Sequence, residues 1–258
     1  MTALEKGLRE VRDRGEKSLA VYLTGGVPSD DGFTDHARAV ADAGADLIEV
    51  GIPWSDPVID GPVIQRASEV ALSHGVTPMQ VLDVAADADL PIPVVVMTYA
   101  NPVFRLGLER FAGALEARDL AGAIVPDLPI EESGPWEEAA AAAGIASVLL
   151  APPSAPERRL EEICRRSTGF VYGMSLMGVT GVREGLSAAA ARVGSRLRML
   201  TDRPVLLGIG ISSPEQAAEA AEHCDGVIVG SAVMARVLDG ESAAEVGRFV
   251  ARLKQGMA

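Results

Sequence analysis

Short apolar runs alternate along the chain with longer segments in which Ala, Glu and Arg recur at helical spacing. The apolar runs are nearly continuous and do not alternate strictly with polar residues, as is typical of parallel strands buried on both faces. Residues 34–43 and 135–143 are predicted helices that each end at a glycine, and Ser213 followed by Pro214 predicts the start of another. The pattern predicts eight strands, at residues 19–24, 47–51, 94–98, 122–125, 146–150, 170–173, 205–208 and 227–230.

The order of these elements restricts the fold to two architectures. A regular alternation of strands and helices produces either a closed barrel or an open doubly wound sheet. Eight units in a chain of 258 residues favour the barrel, and no Gly-x-Gly-x-x-Gly follows the first strand, which disfavours a dinucleotide-binding sheet. No linker or shift in composition divides the sequence. We therefore predict a single (β/α)8 TIM barrel over residues 1–258, with an N-terminal helix near residues 4–14 that covers the barrel bottom.

Composition and charge narrow the class of partner. Hydrophobic residues make up 48% and charged residues 23% of the chain, which is ordinary for a globular protein with a large core. The formal net charge of −13 disfavours nucleic acid or an anionic membrane surface as a partner. The apolar runs are shorter than a membrane span, the N-terminus does not resemble a signal peptide, and only two cysteines occur. A cytoplasmic protein is the simplest interpretation.

In a barrel of this kind, catalytic and binding groups lie at the carboxyl ends of the strands. The seventh and eighth strands end in segments that contain Gly210, Gly230 and Ser231, and a short extra helix is expected to begin at Ser231. Glycine lets a backbone N–H group approach a ligand closely, and a helix N-terminus attracts anions. A glycine at any one of these positions can serve a tight turn alone, but their joint occurrence at the expected strand ends predicts a phosphate site.

Glu49 lies inside an apolar strand, between Ile48 and Val50. A buried carboxylate is costly unless it is paired or functional, so two interpretations stay open: a salt-bridged core residue, or an acid–base group whose pKa is raised above about 4.3 by burial. Asp60 follows on the facing loop, where a lone Asp is usually a turn former. The pair predicts acid–base chemistry by two carboxylates in different environments.

Other residue types disfavour several kinds of chemistry. The only lysines are Lys6, Lys17 and Lys254, and none stands at the carboxyl end of a predicted strand, which argues against a Schiff-base aldolase. The three histidines do not cluster, so we expect no metal site. Carbon–carbon bond chemistry in this chain is therefore expected to depend on carboxylates and hydrogen bonds.

One block of sequence resembles a known signature. The segment from Asp46 to Gln65, Asp-Leu-Ile-Glu-Val-Gly-Ile-Pro-Trp-Ser-Asp-Pro-Val-Ile-Asp-Gly-Pro-Val-Ile-Gln, closely resembles that of tryptophan synthase α subunits. The likeness continues through residues 97–102 and 125–129, and through the glycine segments at 177–181, 208–212 and 225–231. It spans nearly the whole chain in order. The block around Glu49 and Asp60 is highly specific, whereas many barrels share the phosphate glycines.

The resemblance implies a lyase of tryptophan biosynthesis that cleaves indole-3-glycerol phosphate by retro-aldol chemistry to indole and glyceraldehyde 3-phosphate. By this likeness Glu49 is the acid–base group that shuttles a proton, and Asp60 faces the indole nitrogen. The phosphate-binding residues that it implies are Gly181, Gly210, Gly230 and Ser231. The indole pocket and its closing loop are implied at Tyr22, Ile64, Tyr172 and Thr180. Loop closure would exclude water and strengthen the electrostatic interactions of the site.

The resemblance also implies a partner. The family partner is a β subunit in an α2β2 heterotetramer, and that subunit carries pyridoxal phosphate, so no cofactor and no metal are expected in this chain. The contacts with the β subunit are implied at Pro53, Asp56, Asn101 and Phe104.

The chain departs from the family pattern at Val27, Trp54, Ser175, Leu176, Met177 and Ile209. Because the carboxylates and the phosphate glycines are intact, activity is expected, and the departures bear on loop closure and coupling to the β subunit.

Three rival functions share part of the pattern. A stand-alone indole-3-glycerol-phosphate lyase that releases free indole would use every catalytic residue named above. A sugar-phosphate isomerase would keep the phosphate glycines without needing the block around Glu49 and Asp60. An inactive barrel that only activates a β subunit would be free to lose Glu49, so its presence argues against that function.

Overall fold

Eight parallel strands form a closed barrel in the computed structural model of the chain, which describes residues 1–174, 186–208 and 210–258, apart from the side chains of residues 186–191. The strands pair in chain order, and the eighth pairs with the first. They are β1 (Ser18–Thr24), β2 (Leu47–Gly51), β3 (Val94–Met97), β4 (Gly122–Ile124), β5 (Ala146–Ala151), β6 (Val171–Met174), β7 (Val205–Gly208) and β8 (Gly226–Val229). The predicted (β/α)8 barrel is confirmed.

Helices surround the barrel and begin largely at residues that cap them. Ser213 accepts a hydrogen bond from the backbone N–H of Gln216, which confirms the predicted helix start there. Thr77 and Ser242 each form a capping box. The helices are α1 (Ala3–Asp13), α2 (Asp30–Asp42), α3 (Pro62–Ser73), α4 (Pro78–Asp87), α5 (Ala100–Leu106), α6 (Leu108–Glu116), α7 (Gly134–Ala142), α8 (Glu157–Arg166), α9 (Leu186–Leu200), α10 (Pro214–Ala221), α11 (Ser231–Leu238) and α12 (Ala243–Gly256).

Successive side chains of a strand point alternately into the barrel and towards the helices. The inward set forms an apolar layer of Ala20, Leu47, Val95, Ile124, Ala146, Val148, Phe170, Leu206 and Ile228. Glu49 follows Leu47 by two residues on β2, so its side chain points to the same side of the sheet. The interior is therefore apolar below the level of Glu49, and the carboxylate lies nearer the carboxyl ends of the strands.

Helix α1 covers the amino ends of the strands, as predicted. Its Leu4 and Leu8 are almost fully buried and belong to the same cluster as the inward side chains of the barrel. Leu4 also lies against Gly169, which stands just before β6. The guanidinium of Arg9 donates to Asp202, before β7, at 2.8 Å. The lower end of the barrel is therefore closed by side chains.

Two observed boundaries beside helix caps differ from the predicted ones. Helix α2 begins at Asp30 with Ser29 as its cap, four residues before the predicted start at Thr34. Strand β8 ends at Val229, and Gly230 is the cap of α11 instead of the last strand residue. Within the described part of the chain, no helix combines the length and the apolar character that crossing a membrane requires.

Candidate active site

A cavity of about 790 Å³ opens at the carboxyl ends of the strands. In a closed barrel of this kind, this is the end at which function is expected. The cavity brings together residues of β1, β2, β6, the loop after β2 and the segments after β7 and β8. It is lined by Tyr22, Glu49, Val58, Ile59, Asp60, Gly61, Pro62, Ile64, Met97, Leu150, Tyr172, Met174, Gly208, Gly210, Ile211, Ile228, Gly230 and Ser231.

Glu49 lies in the wall of this cavity and is nearly inaccessible to solvent, with 1% of its surface exposed. Its neighbours in the strand register are Tyr22 on β1 and Val95 on β3. Within the described residues neither carboxylate oxygen has a hydrogen-bond partner. Burial in these surroundings raises the pKa of Glu49 from 4.5 to about 8. The salt-bridged alternative finds no support, because Glu49 forms no ion pair with any residue that the structure describes.

Asp60 lies on the loop between β2 and α3 and is half-buried. Its Oδ2 accepts a hydrogen bond from the hydroxyl of Tyr99 at 3.1 Å. Its backbone carbonyl accepts one from the Nε2 of Gln65 at 2.9 Å. Burial raises the pKa of Asp60, and the hydrogen bond from Tyr99 partly opposes that rise. The two carboxylates therefore share one cavity but differ in environment, since Glu49 is enclosed without a partner and Asp60 is held by one.

Two tyrosines form apolar walls beside Glu49. The hydroxyls of Tyr22 and Tyr172 lie where a side chain at Gly51 and at Gly208 would otherwise stand, so the glycines on the next strands make room for them. Tyr22 is buried and Tyr172 is half-buried, and burial raises the pKa of each phenol. Together with Ile64, which also lines the cavity, they provide flat apolar surfaces suited to an aromatic ring.

The segments after β7 and β8 also line the cavity. Helix α11 begins at Ser231, and its cap, Gly230, provides no side-chain hydrogen bond, so the free N–H groups of the first turn are open to an anion. Gly210 has a φ of 79°, a conformation that favours glycine. The structure brings Gly210, Gly230 and Ser231 together in this cavity. Gly181, Thr180, Ser175, Leu176, Met177 and Ile209 lie outside the described residues.

The expected partner contacts lie on the segments that follow β2 and β3, and they differ in exposure. Asp56 and Asn101 are exposed, and Phe104 exposes 57% of its surface on α5. Pro53 is buried within the chain itself. Trp54 stacks on Tyr99 with ring centroids 6.5 Å apart.

The sequence interpretation missed part of the cavity wall. Met97, Leu150 and Met174 line the cavity from β3, β5 and β6. They could have been found from side-chain direction alone, because side chains two residues apart on a strand point to the same face of the sheet. Counting from the inward residues of each strand gives these three residues inward positions near the strand ends. The contact between Tyr99 and Asp60 was not predicted either. Within the described residues no group of His, Cys, Asp and Glu side chains is arranged to hold a metal ion.

Three features of the cavity together define a class of protein. An enclosed carboxylate of raised pKa and a second, hydrogen-bonded carboxylate line one largely apolar cavity, and a helix N-terminus lines the same space. This arrangement is typical of a barrel enzyme that performs acid–base chemistry on a ligand with an apolar ring and an anionic group.

Comparison with known proteins specifies that class further. The model of the tryptophan synthase alpha chain family matches residues 8–257. The chain is 46% identical to the tryptophan synthase alpha chain of Streptomyces avermitilis, over 93% of this chain and 88% of that one. It is 43% identical to that of Thermobifida fusca, over 100% and 98%. The tryptophan synthase subunit alpha of Legionella pneumophila superposes with a TM-score of 0.92 at 30% identity, covering 100% and 98%. A Mycobacterium tuberculosis tryptophan synthase structure gives 0.90 at 36% identity, covering 99% and 98%.

The chain therefore belongs to the tryptophan synthase alpha chain family. Its activity is the alpha-subunit reaction of tryptophan biosynthesis, a lyase reaction that cleaves indole-3-glycerol phosphate to indole and glyceraldehyde 3-phosphate. Family membership also implies a beta subunit as its partner.

Proposed function

We propose that Glu49 and Asp60 divide the acid–base work of indole-3-glycerol phosphate cleavage between them. The observation that carries this proposal is the state of Glu49, which is enclosed in the cavity without a hydrogen-bond partner among the described residues. Its pKa of about 8 means that the carboxyl group holds a proton at neutral pH and can donate it.

The reaction needs two proton transfers at neighbouring atoms. Glu49 donates its proton to C3 of the indole ring, which leaves a positive charge shared with the ring nitrogen. The resulting carboxylate then accepts the proton of the hydroxyl on the adjacent carbon of the glycerol chain. The C3–carbon bond breaks, its electron pair returns to the ring, and the hydroxyl carbon becomes the aldehyde of glyceraldehyde 3-phosphate. Glu49 regains its proton, so the enzyme ends each cycle unchanged.

Asp60 has the complementary role of stabilising charge at the indole nitrogen. Because Tyr99 donates to its Oδ2 and lowers its pKa against the effect of burial, Asp60 is the carboxylate better suited to remain ionised. An ionised carboxylate accepts the indole N–H and is attracted more strongly once C3 has been protonated. It therefore binds the charged intermediate more tightly than the substrate, which is the condition for catalysis.

The remaining residues bind and orient the substrate. The first turn of α11 and the backbone of Gly210 support a phosphate site by their free N–H groups and open approach. Tyr22, Ile64 and Tyr172 enclose the ring with apolar surface. Gly181 and Thr180 keep the phosphate and closing-loop roles that the family resemblance implies. The apolar walls lower the effective dielectric constant around the reacting carbon, which strengthens the electrostatic interactions of both carboxylates.

The test is an indole-release assay on indole-3-glycerol phosphate with three proteins. Wild type should release indole, Glu49→Gln should abolish release, and Asp60→Asn should lower the rate at least about a hundredfold, or about 2.7 kcal/mol in barrier. Retained binding of inorganic phosphate by both variants shows that the fold and the anion site are intact. Near-normal turnover by Glu49→Gln would mean that Glu49 takes no part in the mechanism. A rate loss below about threefold in Asp60→Asn would mean that Asp60 is only a turn residue.

We also propose that the chain couples to the beta subunit in an α2β2 heterotetramer, in which pyridoxal phosphate belongs to the beta subunit and no cofactor to this chain. The support is the exposed apolar surface at the barrel mouth, where Val58, Ile59 and Phe104 are 83%, 42% and 57% exposed. Indole release should be slow alone and much faster when a beta subunit is added. Rapid release that a beta subunit does not change identifies a stand-alone lyase instead.

A cytoplasmic location is proposed on separate grounds. Cys164 and Cys224 are both free and buried, which suits a reducing compartment. Fractionation of the producing cells followed by immunodetection tests it, and recovery of the protein outside the cytoplasm contradicts it.

A further inference from the structure

We infer that Tyr99 is a positioning residue that acts through Asp60, fixing the carboxylate and keeping it ionised for the ligand. Tyr99 is buried and does not line the cavity, so it reaches the ligand only through another residue. The inference rests on the role proposed above for Asp60.

The direction of the two hydrogen bonds at the Tyr99 hydroxyl is fixed by proton count. The backbone N–H of Ile59 donates to the hydroxyl oxygen at 3.1 Å. The hydroxyl has one proton, and its other partner is Oδ2 of Asp60 at 3.1 Å. An ionised carboxylate can only accept, so the phenol proton points at Asp60. The contact therefore favours the charged form of Asp60 over the neutral one.

Tyr99 is itself held in place by the barrel. It is the cap residue of α5, two residues after the end of β3, and the next residue, Ala100, donates its backbone N–H to Oδ1 of Asp127 at 2.8 Å. Trp54 stacks on its ring from the loop that carries Asp60. The Tyr99 hydroxyl therefore reaches from the end of β3 to the loop between β2 and α3, and its hydrogen bonds hold that loop against the barrel.

The titratable groups around Asp60 come from four elements. They are Tyr99 after β3, Tyr22 on β1, Tyr172 on β6 and Glu49 on β2. Within the described residues no Lys or Arg forms an ion pair with Asp60. Tyr99 is thus the group whose hydrogen bond lowers the pKa of Asp60, while burial raises it.

The chain offers a matched control in Gln65. Its Nε2 donates to the backbone carbonyls of Asp60 and Pro57, so it holds the same loop without touching the carboxylate. Gln65→Met removes that support at similar volume, and Tyr99→Phe removes the hydroxyl while keeping the ring. Comparing the two separates a loss of loop anchoring from a loss of the hydrogen bond to the carboxylate.

The experiment measures kcat and kcat/KM for indole release against pH in wild type, Tyr99→Phe, Gln65→Met, Asp60→Asn and the double variant Asp60→Asn/Tyr99→Phe. Tyr99→Phe should lower kcat about tenfold to a hundredfold, the scale of a lost hydrogen bond to a charged group, with a smaller change in KM. The acid limb of its kcat/KM profile should move to higher pH, and that of Gln65→Met should not. In the Asp60→Asn background, Tyr99→Phe should lower kcat by less than a further factor of about three, because Tyr99 acts only through the Asp60 carboxylate.

Hydrogen exchange provides a readout that does not depend on activity. The amide of Ile59 should exchange faster in Tyr99→Phe than in wild type, because its acceptor is gone. An unmoved acid limb in Tyr99→Phe, an equal shift in Gln65→Met, or full additivity in the double variant would each overturn the inference. An Asp60→Asn variant that keeps its activity is a different outcome, since it overturns the proposed function itself.

Discussion

Replacing Glu49 by Gln should change how the stability of this protein depends on pH. In the folded chain the pKa of Glu49 is about 8, against 4.5 as its ordinary value. Between these pH values the folded protein keeps a proton on Glu49 that the unfolded chain has lost. The free energy of unfolding of the wild type therefore falls as pH rises through this window, and Glu49→Gln removes that contribution.

The magnitude follows from the width of the window. For each pH unit within this window, the free energy of unfolding changes by about 1.36 kcal/mol for the one proton involved. From pH 5 to pH 8 the free energy of unfolding of Glu49→Gln should thus rise relative to the wild type by up to about 4 kcal/mol. Glu49 is 1% exposed, so solvent screening reduces this figure little, whereas relaxation of the surroundings in the charged state reduces it further. The change is large beside a typical stability of about 5–15 kcal/mol.

Urea unfolding at several pH values between 5 and 8 measures this difference. The control is Glu69→Gln, which removes an exposed carboxylate from α3 and should follow the wild type. Since any fixed cost of placing an amide in the cavity is the same at each pH, only the slope of the difference matters. A difference between Glu49→Gln and wild type that stays flat within about 1 kcal/mol would refute the reasoning.

Three further predictions follow from the same structure. The kcat/KM for indole release should fall above a pH of about 8, as Glu49 loses the proton that it donates to C3, and a steady-state pH profile that stays flat to higher pH would contradict this. Gly210→Ala should raise KM about fivefold to thirtyfold with little change in kcat, because a side chain at a φ of 79° costs about 1–2 kcal/mol and turns the backbone away from the phosphate; an unchanged KM removes Gly210 from that site. Leu8→Ala should lower the free energy of unfolding by about 2–5 kcal/mol in urea while leaving the cavity intact, and a loss below about 0.5 kcal/mol would mean that α1 does not close the barrel.

The sequence predicted the barrel closely because parallel strands buried on both faces leave continuous apolar runs. Strand β2 matches its predicted bounds of 47–51 without change. The start of α2 was placed too late, because the residues from Asp30 to Gly32 have turn-forming composition, while Ser29 in fact caps a helix that includes them. Turn-forming composition and the Ser29 cap favour different conformations for these residues, and the cap prevails in the folded chain.

The site was predictable to the extent that it depends on strand ends. Glu49 was identified by its polarity within an apolar run, and the structure confirms that it is buried. Its lack of a partner among the described residues could not be predicted, because that depends on what every neighbouring strand presents. The contact between Tyr99 and Asp60 joins residues 39 positions apart, and no local pattern indicates it.

The most direct test of the account is the protonation state of Glu49 itself. A difference infrared spectrum between wild type and Glu49→Gln isolates the carboxyl stretch of this one residue. We predict a band of a protonated carboxylic acid at pH 7 that disappears as the pH rises through about 8. An ionised carboxylate at pH 7, with no protonated band, would contradict the account.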